Sequence, residues 1–384
     1  MSGAPHPVAA IETPPTATIH IPGSKSVSCR AIMLGAIASG PSTLRGLLMS
    51  DDTAALLAGV EALGVGIAVS ADQVCMTPPD TLGAQPEAQV NLGHGGTPAR
   101  FMMALASLGR GEVLIDGSAR LRERPMSDGL DLLAKVGIAG AWQGEDGKLP
   151  VTIHGGPWNT PRLEVGQAAS SQFISAMLLV APASEQGICV SLQTPVVSES
   201  YVRLTVHELQ SWGIDVTLQE QDGQLHAIEV PPGRPAPQMR EVPADASSAL
   251  FWAAAAAILP GSSITLTGVT LEDNQPDSAA IGVLASMGMN TEQTKHGLRC
   301  LGPDQLSSPG TIDCALMPDA APALAVACCW ASTQTRLTGL GTLRAKESDR
   351  VSTIAGELNR AGFDVTIHGD DLIVVPSAPE PTPV

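Results

Sequence analysis

The sequence predicts an α/β protein of two domains assembled from one repeated unit, and three observations lead there. The chain has 384 residues, more than the roughly 250–300 at which a single core stops growing. A helix-like run, a residue–Gly–apolar step and a strand–turn–strand recur around Gly64, Gly137, Gly213, Gly288 and Gly362, at intervals of 73, 76, 75 and 74 residues. Hydrophobic residues make up 44% but aromatics only 3%, so Ala, Val, Leu, Ile and Met fill the core and let elements approach closely.

Each repeat has a physical reading. The Gly fits a helix C-terminus, where a left-handed residue closes the last turn. Alternation in the segments that follow, such as Asp364-Val365-Thr366-Ile367 and Leu372-Ile373-Val374-Val375, reads as a hairpin. Asp222-Gly223 and Asp370-Asp371 supply turns. Helix–Gly–strand junctions occur in any α/β protein; the near-constant spacing sets these apart. The period exceeds that of the usual solenoid repeats and points to a duplicated α/β unit packed around common helices. Five such units nearly exhaust the chain, so a sixth is expected only in part.

Composition narrows the function. A net charge of −17 argues against a nucleic-acid partner and makes local clusters of Lys and Arg informative. Seven Cys without a CxxC pair point to a reducing compartment rather than a disulfide framework or structural zinc. Cys328 and Cys329 lie in an apolar helical run and read as core. Residues 1–16 are Pro- and Ala-rich and lack the pattern of a signal peptide. The longest apolar stretch, 249–259, is about half a membrane span and reads as a buried helix. A cytoplasmic protein is expected.

Four segments combine cations with Gly, Ser or Thr. Pro22-Gly23-Ser24-Lys25-Ser26-Val27-Ser28-Cys29-Arg30 lacks Walker spacing, yet a Lys, two hydroxyls and an Arg heading a helix still make an anion cradle. Gly93-His94-Gly95-Gly96-Thr97-Pro98-Ala99-Arg100 lacks dinucleotide spacing; its glycines let backbone N–H groups approach a ligand, and Pro98 suits a first helical turn. His94 has no partner at metal-ligand spacing and reads as a solvent or packing residue. Arg120 to Met126 is a charge run that alone reads as a solvated face. Leu343 to Arg350 heads a helix, with Lys346 and Arg350 expected on one face. Nine of the 21 basic residues fall in these four segments, which favours a converging site for phosphate and carboxylate groups. Ala169-Ser170-Ser171-Gln172-Phe173 adds hydroxyls at a helix start, and Asp319 in Met317-Pro318-Asp319-Ala320-Ala321-Pro322 reads by itself as an N-cap.

PGSKSVSCRA, SDDT (50–53), GHGGTPAR, RERPM, ASSQF, MPDAA and LRAKESDR occur in this order from about Ile19 to Val375, and together they resemble the EPSP synthase family. The related UDP-N-acetylglucosamine enolpyruvyl transferases usually carry Lys-Asn at Lys25-Ser26 and a Cys on the loop at 119–125, absent here. The resemblance implies a two-domain inverse α/β barrel of βαβαββ units, with substrates in the cleft between domains. One domain would span 23–240 with three units; the other would join 1–22 to 241–384, its last unit incomplete.

The implied reaction transfers the enolpyruvyl group of phosphoenolpyruvate to the 5-hydroxyl of shikimate 3-phosphate, releasing phosphate, in aromatic amino-acid biosynthesis. Lys25, Ser26, Arg30, Ser170, Ser171, Ser198 and Lys346 would hold the acceptor's phosphate and hydroxyls. Gln172 would lie between the substrates, and Arg124, Arg350, Gly96 and Lys25 would hold phosphoenolpyruvate. Asp319 would take the hydroxyl proton, with Glu347 and Lys25 candidates for proton transfer at the methylene carbon. No metal or organic cofactor and no membrane partner is implied, and a monomer is expected. Departures are His94-Gly95 in place of Asn-Ala and a Pro-rich 376–384 where the family continues with an Asp-His-Arg-Met-Ala helix and a later Lys. Transfer to another phosphorylated acceptor, or a non-catalytic shikimate 3-phosphate-binding homologue, are the alternatives.

Overall fold

The computed structural model describes residues 11–80, 82, 88–166, 170–271, 273–346 and 348–377. In chain order the elements begin β1 (Thr16–His20), α1 (Lys25–Ile37), β2 (Ser42–Arg45), α2 (Asp51–Ala62), β3 (Gly66–Val69) and β4 (Gln73–Thr77). There follow β5 (Ala88–Asn91), α3 (Gly96–Ser107), β6 (Gly111–Asp116), α4 (Ala119–Arg122), α5 (Ser127–Lys135), β7 (Ala139–Trp142) and β8 (Val151–Gly155). Next come β9 (Arg162–Val165), α6 (Ser171–Val180), β10 (Ile188–Leu192), α7 (Glu199–Ser211), β11 (Thr217–Gln221), β12 (Gln224–Val230) and β13 (Met239–Glu241). Then α8 (Ala246–Ile258), β14 (Ser263–Thr267), α9 (Ala279–Ser286), β15 (Asn290–Thr294) and β16 (Gly297–Leu301). The last are β17 (Thr311–Asp313), α10 (Ala321–Cys328), β18 (Thr335–Thr338), α11 (Arg350–Arg360), β19 (Asp364–His368) and β20 (Asp371–Val375).

The strands form five four-stranded sheets ordered β13-β2-β4-β3, β5-β6-β8-β7, β9-β10-β12-β11, β1-β14-β16-β15 and β17-β18-β20-β19. In each, the first two strands are parallel and the remaining pairs antiparallel, as a βαβαββ unit requires. The five repeat glycines all adopt positive φ, from 79° at Gly213 to 120° at Gly288. Each closes its helix by a Schellman pair: Gly64 N–H donates to the Glu61 carbonyl and Val65 N–H to that of Val60, with equivalent pairs at the other four sites. The apolar residue after each Gly is buried (Val65, Ile138, Ile214, Met289, Phe363), which contributes about 1.5–3 kcal/mol apiece. The residue–Gly–apolar step is thus a helix stop whose last member is a core anchor. The Asp222-Gly223 turn has φ of 53° and 75°, the primed geometry that suits a two-residue hairpin.

The chain divides into two compact units, a mid-chain unit Gly23–Pro243 and a split unit of Met1–Pro22 with Ala244–Val384. Each has its own hydrophobic core. Among the described residues the mid-chain unit holds three sheets and the split unit two. The expected part-built sixth unit is corrected here. The unit ending at β20 has all four strands, and among the described residues no strand belongs to a further one. The N-terminal strand β1 is taken up as first strand of the β14 sheet, with Thr16 opposite Ser263. In the mid-chain unit the corresponding strand is β13, with Met239 opposite Thr43 of β2.

Helices α1, α3 and α6 are buried nearly all round and pack on one another, as helices without a polar face must. In the split unit α8 and α10 pack on each other through Ala-rich faces that allow close approach, α8 leaving Phe251 and Trp252 exposed on its other side. Glu208 of α7 is 1% exposed and pairs with Arg240 of β13 at 2.7 Å. Arg240 is 21% exposed while Glu208 is buried, so losing Arg240 would strand a buried carboxylate, and this contact fastens β13 to α7. No described helix is long and apolar enough to cross a membrane.

Candidate active site

The N-termini of α1, α3 and α6 carry three of the sequence motifs, and a run of side-chain contacts joins them. Ser24 caps α1 by accepting from Val27 N–H at 3.4 Å, which places Lys25 on the first turn. Its Nζ lies 3.2 Å from Asp52 Oδ2. Asp52 sits in the first turn of α2, held by a capping box between Ser50 and Thr53. Its other oxygen would stand 3.1 Å from a Cβ at Gly95, so one carboxylate reaches from Lys25 to the N-cap of α3. At Gly96 the Arg124 guanidinium fills the place of a side chain, with Nη1 only 2.1 Å from where a Cβ would be. Arg100, one turn further along α3, donates from Nη1 to Gln172 Oε1 at 2.8 Å and from Nη2 to the Pro125 carbonyl at 3.2 Å. Gln172 lies in the first turn of α6, where Ser170 is the N-cap and Ser171 is 6% exposed. Together these N-termini present oriented N–H groups and cations, a setting that favours anions.

Ser26 is half-buried at the start of α1. Arg30 lies deeper and is 3% exposed. It donates to the Ser26 carbonyl, the Thr205 hydroxyl and the Tyr201 carbonyl, each at 2.9 Å. Two of these bonds bolt α1 to α7 and the third stays within α1, and burial pulls its pKa down to about 10, which leaves it cationic at neutral pH. Ser198, the residue before α7, has φ 58° and ψ 47°. A non-glycine residue there costs about 1–2 kcal/mol, and such strain commonly marks a functional position.

In the split unit Asp319 precedes α10 on a 3-10 turn, Pro318–Ala320. Arg350 Nη1 lies 2.7 Å and Lys346 Nζ 3.3 Å from its Oδ1. The two cations do not share a helix face, as their spacing predicted. Asp349 caps α11, so the helix starts at Arg350 and Lys346 is extended; both still reach Asp319. Glu347 lies outside the described residues.

The concentration of nine basic residues also needs correcting. Arg120 pairs with Glu123, Arg122 with Asp116, and Arg344 with Asp349 and Asp370. These three meet carboxylates close in sequence or on the neighbouring hairpin. Lys25, Lys346 and Arg350 meet carboxylates too, but those of Asp52 and Asp319, which belong to other motifs. With Arg30, Arg100 and Arg124 they stay as candidates.

The sequence assigned no role to Asp52 or Asp277, and counted Arg100 only among the nine cations of a converging anion site. Asp52 reads as an acid complementing a helix dipole, which conceals its contact with Lys25. Arg100 had a signal, being four residues from Gly96 and so on the same helix face. Asp277 had none. It is 1% exposed, accepts from the Ser247 hydroxyl through Oδ2, and buries Oδ1 without a hydrogen-bond partner. Burial first, then the charges of Asp319 and Asp245, push its pKa up to about 7, against the opposing Ser247 hydrogen bond and the Lys346 charge. The folded state therefore prefers the protonated acid. Its contribution to stability is whole below the ordinary carboxylate range and is lost as pH rises through about 7.

Burial pushes the thiols of Cys29, Cys300, Cys314, Cys328 and Cys329 up to about 12, which makes them packing groups rather than nucleophiles. Among the described residues no cluster of three His, Cys, Asp or Glu is set to hold a metal.

Residues 10–384 match the family model described as EPSP synthase (3-phosphoshikimate 1-carboxyvinyltransferase). A 3-phosphoshikimate 1-carboxyvinyltransferase from Nostoc sp. is 33% identical over 380 residues, covering 98% of this chain and 87% of that protein. One from Syntrophobacter fumaroxidans is 33% identical over 347 residues, covering 90% and 81%. The solved EPSP synthase of Acinetobacter baumannii superposes with a TM-score of 0.75 at 28% identity, covering 94% of this chain and 82% of that one. The enolpyruvyl transferase NikO of Streptomyces tendae, at 16% identity and a TM-score of 0.65, shares the fold.

Proposed function

Since this chain belongs to the EPSP synthase family, we propose that it transfers the enolpyruvyl group of phosphoenolpyruvate to the 5-hydroxyl of shikimate 3-phosphate. The observation that carries the reading is the series Lys25–Asp52–Gly95 and Gly96–Arg124, Arg100–Gln172 across three buried helix N-termini. Cations and oriented N–H groups gathered in this way support a site for two anionic substrates.

In the proposed chemistry the acceptor hydroxyl attacks C2 of phosphoenolpyruvate and gives its proton to Asp319. The methylene carbon takes a proton from Lys25, forming a tetrahedral phosphate adduct. Return of a methylene proton to Lys25 then re-forms the double bond as the C2–O bond to phosphate breaks, and the leaving phosphate takes the proton held on Asp319. Arg124 and Arg350 balance the donor's charges, and Ser170, Ser171 and Ser198 take the acceptor's oxygens. Arg30 serves the acceptor side with the two N–H groups its internal bonds leave.

Continuous measurement of phosphate release tests this. Release from phosphoenolpyruvate is expected only when shikimate 3-phosphate is present. Release with a different phosphorylated acceptor alone, or acceptor binding without turnover, would overturn the reading.

Gly96→Ala sharpens the donor side. A methyl at this position collides with Arg124, whose guanidinium ends a flexible side chain and must move. Loss of a charge-assisted contact of this kind is worth about 1.5–3 kcal/mol. The KM for phosphoenolpyruvate is therefore expected to rise by at least about tenfold, with the melting temperature preserved. An unchanged KM would remove Arg124 from the donor site.

A further inference from the structure

Arg100 lies on α3, 5% exposed, with its guanidinium carbon 5.0 Å from the centre of the Phe173 ring. Guanidinium can only donate hydrogen bonds. Its bond to Gln172 Oε1 at 2.8 Å therefore fixes which way the carboxamide is turned. The oxygen is held against buried Arg100, and the amide nitrogen, with its two N–H donors, points away from it. The second arm of the same guanidinium holds the Pro125 carbonyl at 3.2 Å, one residue after Arg124. One side chain thus sets the donor direction of Gln172 and anchors the peptide that carries Arg124. A hydrophobic residue could fill the surrounding crevice of Met103, Leu132, Leu133 and Met177 equally well, but it could make neither bond.

We propose that Arg100 is a positioning residue for the transfer reaction, one that turns Gln172 into an obligate donor toward the substrates' oxygens and keeps Arg124 against Gly96. This rests on the proposed function above. It makes the site selective for acceptors that place a hydrogen-bond-accepting oxygen, rather than a donor group, opposite Gln172.

A double-substitution cycle on the full chain separates positioning from mere packing. Arg100→Met, Gln172→Ala and the double variant are compared by steady-state kinetics with phosphoenolpyruvate and shikimate 3-phosphate, and by calorimetric titration of shikimate 3-phosphate. Arg100→Met is expected to lower kcat/KM by about tenfold or more in the unmodified background and by under about threefold with Gln172→Ala, since contacting residues couple, the residual loss coming from the Pro125 arm. Arg100→Lys, which keeps the charge but not the fork, should recover only part of the loss. Should Arg100→Met fail to fold, Arg100→Lys replaces it in the cycle. Equal losses in both backgrounds, or an unaffected Arg100→Met, would overturn the proposal. If the unmodified chain binds the acceptor without turnover, the functional reading fails while the cycle is still read from affinities. Absence of acceptor binding would sink both.

Discussion

Lys25→Met is expected to lower phosphate release by about 10²–10³-fold, the loss typical of removing one preorganised charge from a transition state. Methionine keeps an unbranched stem and good helix propensity, so only the ammonium is deleted. The Lys25 side chain is 47% exposed and its carboxylate partner Asp52 is 23% exposed. Neither is left as a buried lone charge, and stability should stay within about 0.5 kcal/mol. Thermal melting beside steady-state kinetics reads both quantities. A rate within tenfold of the unmodified protein would take Lys25 out of the chemistry and leave it as a surface ion pair.

Asp319→Asn is expected to act on kcat, lowering it by about 10²–10⁴-fold, the usual worth of a general base. The amide keeps the shape of the carboxylate and one acceptor oxygen for Arg350 and Lys346, which approach Asp319 within 2.7 and 3.3 Å. Substrate-binding groups are untouched, so KM for phosphoenolpyruvate should change far less than kcat. A rise in KM at constant kcat would instead make Asp319 an organiser of the two cations. A pH–rate profile that kept its acidic limb in the variant would likewise show that the base is elsewhere.

The fold was largely legible because helix stops leave a chemical trace. Each Schellman closure demands a residue tolerant of positive φ followed by an apolar anchor, and that pair recurs five times in the sequence. The pairing of β13 with β2 left no such trace, since Met239–Glu241 is three residues long and carries no alternation. The site was legible where a motif begins a buried helix, as at Lys25, Gly96 and Ser171. A count of charges could not separate Arg120, Arg122 and Arg344, which find carboxylates close in sequence or, for Arg344, also on the neighbouring hairpin. The Asp349 cap, which ends any helical reading of Lys346, was present in the sequence as an Asp three residues before Ser352. Asp277 was invisible, since only tertiary packing strips its carboxyl of water.

The exchange of first strands sets an order in time. β1 is synthesised early, yet its partner β14 lies 247 positions later. At translation rates of 5–20 residues per second, the wait is about 12–50 s. β2 waits for β13 across a shorter separation, 196 positions, so the mid-chain unit can close while β1 still has nothing to pair with. An unpaired strand is a template for wrong partners. β1 reads Thr-Ala-Thr-Ile-His, with one large apolar residue in five, a composition that gives a misplaced neighbour little to hold during the delay.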